Sequence, residues 1–326
     1  MTGLRWGILA TGGIAHAFTS DLRTAGLDVR AVGSRRPEAA AAFAAEFDIP
    51  HAHGSYEELA ADPDVDIVYV ATPHPMHAED ALLCLAAGKH VLVEKSFTVN
   101  AREAREVRDA AAAAGLLAME AMWTRYLPHM RRIREIIAAG TLGQVRSLVA
   151  DHTQKLPTDP THRLNDLALG GGALLDLGIY PVSFTWDVLG EPETVTARAT
   201  LAETGADTEV ATIFTHAGGA VSTTFSSSRT AGPNTAHVLG TDARIDIDRV
   251  WYSPTTFRVT APDGSVIEEY RSEVEGRGMQ YQALEAEKIV AAGRRDSDIL
   301  PIDESVAIMA TLDEVRRQIG VAYSAD

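Results

Sequence analysis

The stretch LRWGILATGGIA, residues 4–15, decides the fold of the first half of the chain. Its first seven residues form an apolar run that predicts a buried strand, and a turn of small residues then leads into a helix predicted at residues 14–25. The same unit repeats, with strands predicted at 29–32, 66–70, 90–96 and 116–120 and helices at 37–47, 75–87 and 101–114. Because such alternation implies right-handed crossovers, the sequence predicts an α/β domain with a doubly wound parallel sheet.

After Tyr126 the pattern changes to short alternating stretches rich in Thr, Val and Ser. Strands are predicted at 145–153, 195–201, 210–215, 220–228, 236–239, 244–248, 257–260 and 266–270, and helices at 128–138, 279–292 and 304–319. Short strands separated by Gly, Pro and Asp turns indicate a large, mostly antiparallel open sheet. The sequence therefore predicts two domains, 1–122 and 123–326, the second of the α+β class.

Composition limits the partners and the compartment. The formal net charge of −16 argues against a nucleic-acid surface and against an anionic membrane. No run of eighteen apolar residues occurs, and the N-terminus leads directly into a strand. The single Cys84 excludes an intramolecular disulfide. We therefore expect a cytoplasmic protein without a membrane or nucleic-acid partner.

The turn after the first strand matches a dinucleotide-binding pattern. In G-x-G-x-x-G/A, Ala10 takes the first small position, Gly12 the second and Ala15 the third. Thr11, Gly13 and Ile14 complete the turn, and the pyrophosphate would lie at the N-terminus of the next helix. The placement between a first strand and a first helix favours a Rossmann nucleotide-binding domain over a plain tight turn.

The end of the second strand indicates which nucleotide binds. An NAD site places Asp or Glu there for the ribose 2′-hydroxyl, whereas this chain has Ser34, Arg35 and Arg36. A small hydroxyl and two guanidiniums suit a 2′-phosphate, so we predict NADP in preference to NAD. The alternative is a solvated arginine pair at the start of a helix.

Lys95 is unusual because the chain has only four lysines against twenty-five arginines. It ends an apolar strand, where a parallel sheet brings side chains to a crevice. Lysine, unlike arginine, can lose its proton near neutral pH, which indicates a role in proton transfer. The alternative is a lysine paired with a nearby carboxylate.

Several strings resemble the glucose–fructose oxidoreductase / inositol dehydrogenase / MocA family, and most closely its dihydrodiol dehydrogenase and xylose dehydrogenase branch. They are ATPHPMH (71–77), AGKHVLVEK (87–95), GSYEEL (54–59), MEAMWTR (119–125), GGGALLDLGIY (170–180) and EVRRQIG (314–320). The resemblance implies that Lys95 is the catalytic lysine, beside Glu94, with Ser96 in place of the family's proline. It also implies a helix-borne polar pair, Asp176 and Tyr180, and a nicotinamide-side segment that contains Thr72, Pro73 and His77.

The residues support this interpretation in their own right. Asp176 and Tyr180 are four positions apart and would share one helical face. Gly170–Gly172 would let the backbone lie close to the cofactor. Hydride transfer from a carbinol requires a base for the hydroxyl proton, and Lys95 or Tyr180 are candidates. The alternative for the pair is a helix face packed on the sheet.

Two further clusters carry weaker signals. Trp123, Arg125 and Tyr126 follow the last parallel strand and are candidates for the wall of a substrate pocket, or else for an interdomain core with a paired arginine. His51 with His53, or His74 with His77, lack a Cys or a convergent carboxylate set, so no metal is expected.

The function predicted from these features is an NADP-dependent oxidoreductase acting on a vicinal diol or an aldose. The alternative is a non-catalytic protein that senses NADP(H), which would have no reason to keep Lys95, Asp176 and Tyr180. Apolar surface on the open sheet, together with the resemblance, implies a homodimer or a tetramer.

Overall fold

The computed structural model describes residues 3–326, which divide into two compact units. The first unit runs to Trp123 and also includes Glu275–Met309. The second consists of Thr124–Val274 and Ala310–Asp326. The predicted division after residue 122 lies one residue from the first break, but it did not anticipate the return of the chain at 275–309. The sequence pattern predicts where helices and strands lie. It does not indicate that a helix near the C-terminal end packs on the first unit.

The sheet of the first unit contains parallel strands only. They are β1 (Arg5–Leu9), β2 (Asp28–Gly33), β3 (His51–His53), β4 (Ile67–Val70), β5 (His90–Glu94) and β6 (Ala118–Ala121). Their order is β3-β2-β1-β4-β5-β6, and every neighbouring pair is parallel. The prediction of a doubly wound sheet is confirmed. The order reverses between β1 and β4, and such switch points place ligands outside the carboxyl ends of the strands.

Most helices lie where the sequence predicts them, within one or two residues at each end. They are α1 (Gly13–Thr24), α2 (Pro37–Phe47), α3 (Tyr56–Ala61), α4 (His77–Ala86), α5 (Ala101–Ala114), α6 (Pro128–Ala138), α7 (Ile179–Leu189), α8 (Gln280–Ala291) and α9 (Ile302–Ile319). Local chemistry explains several ends: Pro37 is the first residue of α2, and Asn100 accepts a hydrogen bond from the Glu103 N–H to cap α5. The sequence analysis missed β3 and α3, which are too short to show a periodicity.

The second unit contains a mixed, mostly antiparallel sheet, as predicted. Its strands are β7 (Val145–Thr153), β8 (Pro192–Leu201), β9 (Asp207–His216), β10 (Val221–Ser227), β11 (Ala236–Gly240), β12 (Arg244–Ile247), β13 (Phe257–Thr260) and β14 (Val266–Tyr270). The order is β14-β13-β12-β11-β7-β10-β9-β8, and only β7 and β10 pair in parallel. Inward residues such as Leu148 and Phe214 are fully buried and alternate with exposed ones, which gives the sheet one core face.

The segment before α7 differs from the regular helix that the sequence predicts. Leu174–Gly178 forms a π-helical turn that continues into α7, so Asp176 lies in the π-helical turn and Tyr180 lies in the first turn of α7. Leu167–Leu189 is also the one helical stretch of the described chain that is long and apolar enough to cross a membrane. Most of it is buried inside the fold, as in an ordinary core helix.

Candidate active site

The turn after β1 keeps the N-terminus of α1 open. Gly12 precedes the helix without a side-chain cap, and a Cβ added at Gly12 or Gly13 would meet no atom within 4 Å. Ala10 has φ 82° and donates its N–H to the Gly33 carbonyl at 2.9 Å, which fixes the turn on β2. Ala15 is fully buried, in keeping with close packing of helix on strand. The first N–H groups of α1 therefore have the surroundings that an anionic ligand requires.

The end of β2 presents small and basic groups. Ser34 is buried, and its Oγ accepts a hydrogen bond of 3.3 Å from the N–H of Arg36. Arg35 and Arg36 are exposed. The charge of Arg35 interacts with the carboxyl of Asp80 on α4. Burial is the main cause that raises the pKa of Asp80 to about 6. The end of the strand itself carries no carboxylate.

Thr72 and Pro73 follow β4, on the other side of the switch point. The Thr72 hydroxyl is buried and interacts with the carboxyl of Asp80, whose pKa it lowers against the effect of burial. A hydroxyl can both donate and accept, so it could also hydrogen-bond a ligand at this position. The open glycine turn, the uncapped helix and this hydroxyl all fit the dinucleotide that the sequence predicts.

Two histidines hold the loop that contains Lys95. The ring of His77 is buried, with Nε2 at 2.8 Å from the Thr72 carbonyl and Nδ1 at 2.9 Å from the Ser96 carbonyl. His74 Nε2 lies 3.2 Å from the Lys95 carbonyl. Burial lowers the pKa of His77, which favours the neutral ring. The side chain of His77 thus positions the backbone at Thr72 and Ser96. Its predicted role in cofactor binding would be indirect, through these two segments.

Glu94 and Lys95 lie at the carboxyl end of β5. Glu94 is buried, accepts a hydrogen bond from the Tyr69 hydroxyl on Oε1, and accepts one of 3.2 Å from the Lys95 N–H on Oε2. Burial raises the pKa of Glu94, while the charge of Lys95 and the Tyr69 hydrogen bond oppose this rise. The backbone of Lys95 is therefore held at its N–H by Glu94 and at its carbonyl by His74.

In the second unit, Tyr180 belongs to an aromatic cluster. Its ring centroid lies 4.9 Å from His152 and 5.3 Å from Tyr252, and His152 stacks on Tyr252 at 3.8 Å. Burial, with the neighbouring Tyr180, raises the pKa of Tyr252 to about 12. Asp176 Oδ1 lies 3.6 Å from Arg163 Nη1. His152 on β7 and Tyr252 in the turn after β12 were not predicted, because single aromatic residues far apart in the sequence carry no motif.

The triple glycine packs closely within the second unit. A Cβ at Gly171 would lie 2.7 Å from the backbone oxygens of Arg163 and Asp166. Gly172 has φ 136°, and its Cβ would lie 2.2 Å from Oδ1 of Asp207. The lack of a side chain at these two positions therefore allows the chain to pack against itself. The expectation that the glycines also lie close to the cofactor stays a prediction.

The three residues predicted to form the wall of a substrate pocket lie in different surroundings. Arg125 is buried in an ion pair of 3.0 Å with Asp187, and it donates to the Ser183 hydroxyl at 3.0 Å. Tyr126 is fully buried. For both residues this arrangement favours the paired-arginine, core interpretation over direct contact with a substrate. Trp123, in the first unit, is also buried, and the guanidinium of Arg277 lies over its ring. Its contact with a substrate stays a prediction.

One carboxylate converges on a histidine pair, contrary to the sequence analysis. Oδ2 of buried Asp62 lies 2.7 Å from His51 Nδ1 and 2.8 Å from His53 Nε2. Sequence spacing did not reveal this, because Asp62 follows α3 while both histidines are on β3. The distances are those of hydrogen bonds, and the three side chains are a group that could also hold a metal ion.

Comparison with known proteins identifies the family. Residues 4–122 match the oxidoreductase family with an NAD-binding Rossmann fold, and residues 130–246 match the GFO/IDH/MocA C-terminal domain. The trans-1,2-dihydrobenzene-1,2-diol dehydrogenase of Mus musculus is 39% identical over 333 residues, with 99% of both chains covered. The enzyme of that name from Homo sapiens is 40% identical over 334 residues, with the same coverage.

Solved structures agree. A 3-ketoreductase from Actinomadura kijaniata, in complex with NADP and TDP-benzene, superposes with a TM-score of 0.86 at 26% identity, covering 97% of this chain and 98% of the other. An aldose-aldose oxidoreductase from Caulobacter crescentus shares the fold, with a TM-score of 0.88 at 23% identity and 97% coverage of both chains. The chain belongs to the GFO/IDH/MocA family and is an oxidoreductase with a nicotinamide-dinucleotide-binding Rossmann domain.

Proposed function

We propose that this protein is an NADP-dependent dehydrogenase that transfers a hydride between nicotinamide and a vicinal diol or an aldose sugar. The observation that carries the proposal is the frame around Lys95, in which buried Glu94 and two histidines fix the backbone of a lysine at the carboxyl end of a central strand. Relatives named as diol dehydrogenases and a similar NADP-bound ketoreductase support the reaction class.

The cofactor would be held by the groups described around the switch point. Gly12, Gly13 and the N-terminus of α1 suit the pyrophosphate, and Thr72 offers a hydroxyl beside the switch point. Ser34 with Arg35 and Arg36 suits a 2′-phosphate, which is why we propose NADP over NAD. When bound, the nicotinamide supplies the hydride acceptor or donor.

The protein supplies the proton transfer. Oxidation of a carbinol requires that its hydroxyl proton leave as the hydride departs, and Lys95 or Tyr180 would accept it. Glu94 accepts the Lys95 N–H and so fixes the backbone of the lysine, and Asp176 would orient the substrate. The aromatic surface around Tyr180, formed by His152 and Tyr252, is suited to pack against a ring.

The direct test is a substrate panel. The full-length protein is incubated with NADP, and in parallel with NAD, and with trans-diols and aldoses, while the absorbance of reduced nicotinamide is followed. We expect turnover of at least one diol or aldose, and faster turnover with NADP. Absence of any change across the panel would refute the proposed reaction, and a preference for NAD would refute the cofactor assignment alone.

We also propose that the exposed face of the second sheet joins two copies of this chain. Val149, Ile213, Val221 and Phe225 are between 39% and 51% exposed. Thr223 on β10 pairs with both Val149 and Ile213, and Val221 and Phe225 flank it, so the four apolar side chains form one patch. A patch at the centre of a sheet can pair with its own symmetry copy. Light scattering after size exclusion should give a dimer or tetramer, and Ile213→Asp should give a monomer.

A cytoplasmic location is proposed on the chemistry of Cys84. This residue is the single cysteine, it is fully buried, and burial raises the pKa of its thiol to about 12. A thiol in this state does not need an oxidising compartment. Fractionation of cells that produce the tagged protein would test the location.

A further inference from the structure

A buried carboxylate fixes the loop that leads into α8. Asp21 on α1 accepts hydrogen bonds from two backbone N–H groups, that of Arg277 at 3.1 Å on Oδ1 and that of Met279 at 2.8 Å on Oδ2. Gly276 has φ 72°, and a Cβ there would lie 2.3 Å from Oδ1 of Asp21. Both carboxylate oxygens of Asp21 therefore accept hydrogen bonds from this loop, and these bonds fix the backbone at Arg277.

The side chain of Arg277 lies at the edge of the sheet that carries Lys95. Its guanidinium is 5.9 Å from the ring centroid of Trp123. Trp123 comes two residues after Ala121, which pairs with Glu94 across β5 and β6. The positive charge of Arg277 also reaches Glu94: burial raises the pKa of this carboxyl, and Arg277 is among the groups that oppose the rise, with Lys95 ahead of it.

Arg277 is not used in an ion pair. Some arginines of this acid-rich chain meet carboxylates at close range, for example Arg132 with Glu268 at 2.8 Å and Arg316 with Asp326 at 2.7 Å, whereas Arg277 is exposed. No carboxylate of residues 3–326 lies within 4.0 Å of the guanidinium of Arg277. Contact with an aromatic face leaves the N–H donors of the guanidinium available.

We propose that Arg277 binds a carboxylate on the substrate, so that the substrates are sugar acids, that is, aldoses or polyols that carry a carboxylate. This inference rests on the proposed function and specifies its substrate class. A single planar guanidinium matches a carboxylate through two parallel hydrogen bonds. The cofactor pyrophosphate is the other anion to consider. Asp21 lies eight residues beyond Gly13, about 12 Å along α1, so the loop is fixed two turns away from the N-terminus where that anion would bind.

The test uses two sugars that differ only in the carboxylate, D-glucuronate and D-xylose. Steady-state rates with NADP are compared for the natural protein, Arg277→Met and Arg277→Lys, with Arg271→Met as a surface control. We expect the natural protein to favour glucuronate, and Arg277→Met to reduce kcat/KM for glucuronate at least about 10-fold, mainly through KM. Turnover of xylose and the affinity for NADPH should change little, and Arg277→Lys should restore part of the preference.

Calorimetric titration of the protein–NADPH complex with each sugar distinguishes the proposed dehydrogenase function from the proposed carboxylate site at Arg277. If diols or xylose are oxidised and glucuronate binding does not depend on Arg277, the inference is overturned while the proposed function stands. If glucuronate binding depends on Arg277 but nothing in the panel is oxidised, the site stands and the dehydrogenase proposal fails. If Arg277→Met weakens NADPH binding as much as glucuronate binding, Arg277 belongs to the cofactor site and the inference is overturned.

Discussion

The hydroxyl of Tyr69 on β4 donates a hydrogen bond to Oε1 of Glu94 on the neighbouring strand β5, and both side chains are buried. Tyr69 also stacks on Phe18, with ring centroids 3.8 Å apart. The pair links the hydrophobic core of the first unit to the backbone of Lys95, because the other oxygen of Glu94 accepts the Lys95 N–H. A buried carboxylate of this kind must keep its donors to remain charged.

Tyr69→Phe should therefore preserve the packing and affect the charge of Glu94. The ring would still stack on Phe18, but Glu94 would lose a donor that lowers its pKa against the effect of burial. We expect a loss of about 1–3 kcal/mol in the free energy of unfolding. If catalysis needs Glu94 ionised, activity is lost as pH falls through its pKa, so the acid limb of kcat/KM should move to higher pH. Tyr281→Phe is the control, and an unchanged stability and pH profile would contradict the assignment.

Lys95→Met should abolish turnover and leave NADPH binding nearly intact. The substitution removes the ammonium and its exchangeable proton but keeps a long apolar side chain in place. We expect kcat to fall at least about 100-fold, the scale of general acid–base catalysis, while fluorescence titration with NADPH gives a similar affinity.

The substitution Lys95→Arg tests whether catalysis needs only a positive charge at this position or a group that can give up a proton. Arginine keeps the positive charge but does not deprotonate near neutral pH, so we expect little recovery of activity relative to Lys95→Met. Lys288→Arg, on the exposed surface, is the matched control. Substantial activity in Lys95→Arg would show that the site needs only a cation.

The sequence predicted the order of elements well, because long apolar strands and periodic helices depend on local patterns. It also predicted that the Gly12 turn would lie at the N-terminus of α1, since the fingerprint is a local motif. What it missed depends on contacts between distant residues. Arg277 and Asp21 are 256 positions apart, and Asp62 reaches His51 only through the fold. The contact between Gly172 and Asp207 could not be predicted for the same reason, because no local pattern indicates it.

Arg35→Ala should weaken NADP binding and leave NAD binding almost unchanged. Loss of a charged hydrogen bond to a 2′-phosphate corresponds to about 10–100-fold in affinity. The measurement is KM and Kd for both nucleotides. Arg30→Ala is the control, because Arg30 lies on β2, the strand that precedes Arg35, and pairs with Asp28 at 2.9 Å. Equal effects on NAD and NADP would show that Arg35 does not contact the 2′ position.

Arg125→Met should lower stability instead of substrate affinity. The side chains of Arg125 and Asp187 are 3% and 5% exposed, so the substitution leaves a buried carboxylate that still pairs with Arg134 at 2.8 Å. We expect a loss of about 3 kcal/mol in the free energy of unfolding. Arg134→Met, at a more exposed arginine on the same carboxylate, should cost less. A normal unfolding curve with a raised KM would instead support the predicted substrate role.

The cluster of Asp62, His51 and His53 should make stability sensitive to acid. Burial alone would raise the pKa of Asp62, but hydrogen bonds from the Asp64 N–H and from both histidines outweigh it and lower this pKa to about 2. Because the folded-state pKa lies below that of the unfolded chain, the carboxylate stabilises the fold above about pH 4 and loses this effect as pH falls towards about 2. The contribution is up to about 2 kcal/mol, and Asp62→Asn should remove it from the pH dependence of unfolding. Glu203→Gln, at an exposed carboxylate in a turn of the second unit, is the control. The hydrogen-bond assignment also predicts that a chelator leaves the unfolding curve unchanged, and a chelator-dependent midpoint would show that the three side chains hold a metal instead.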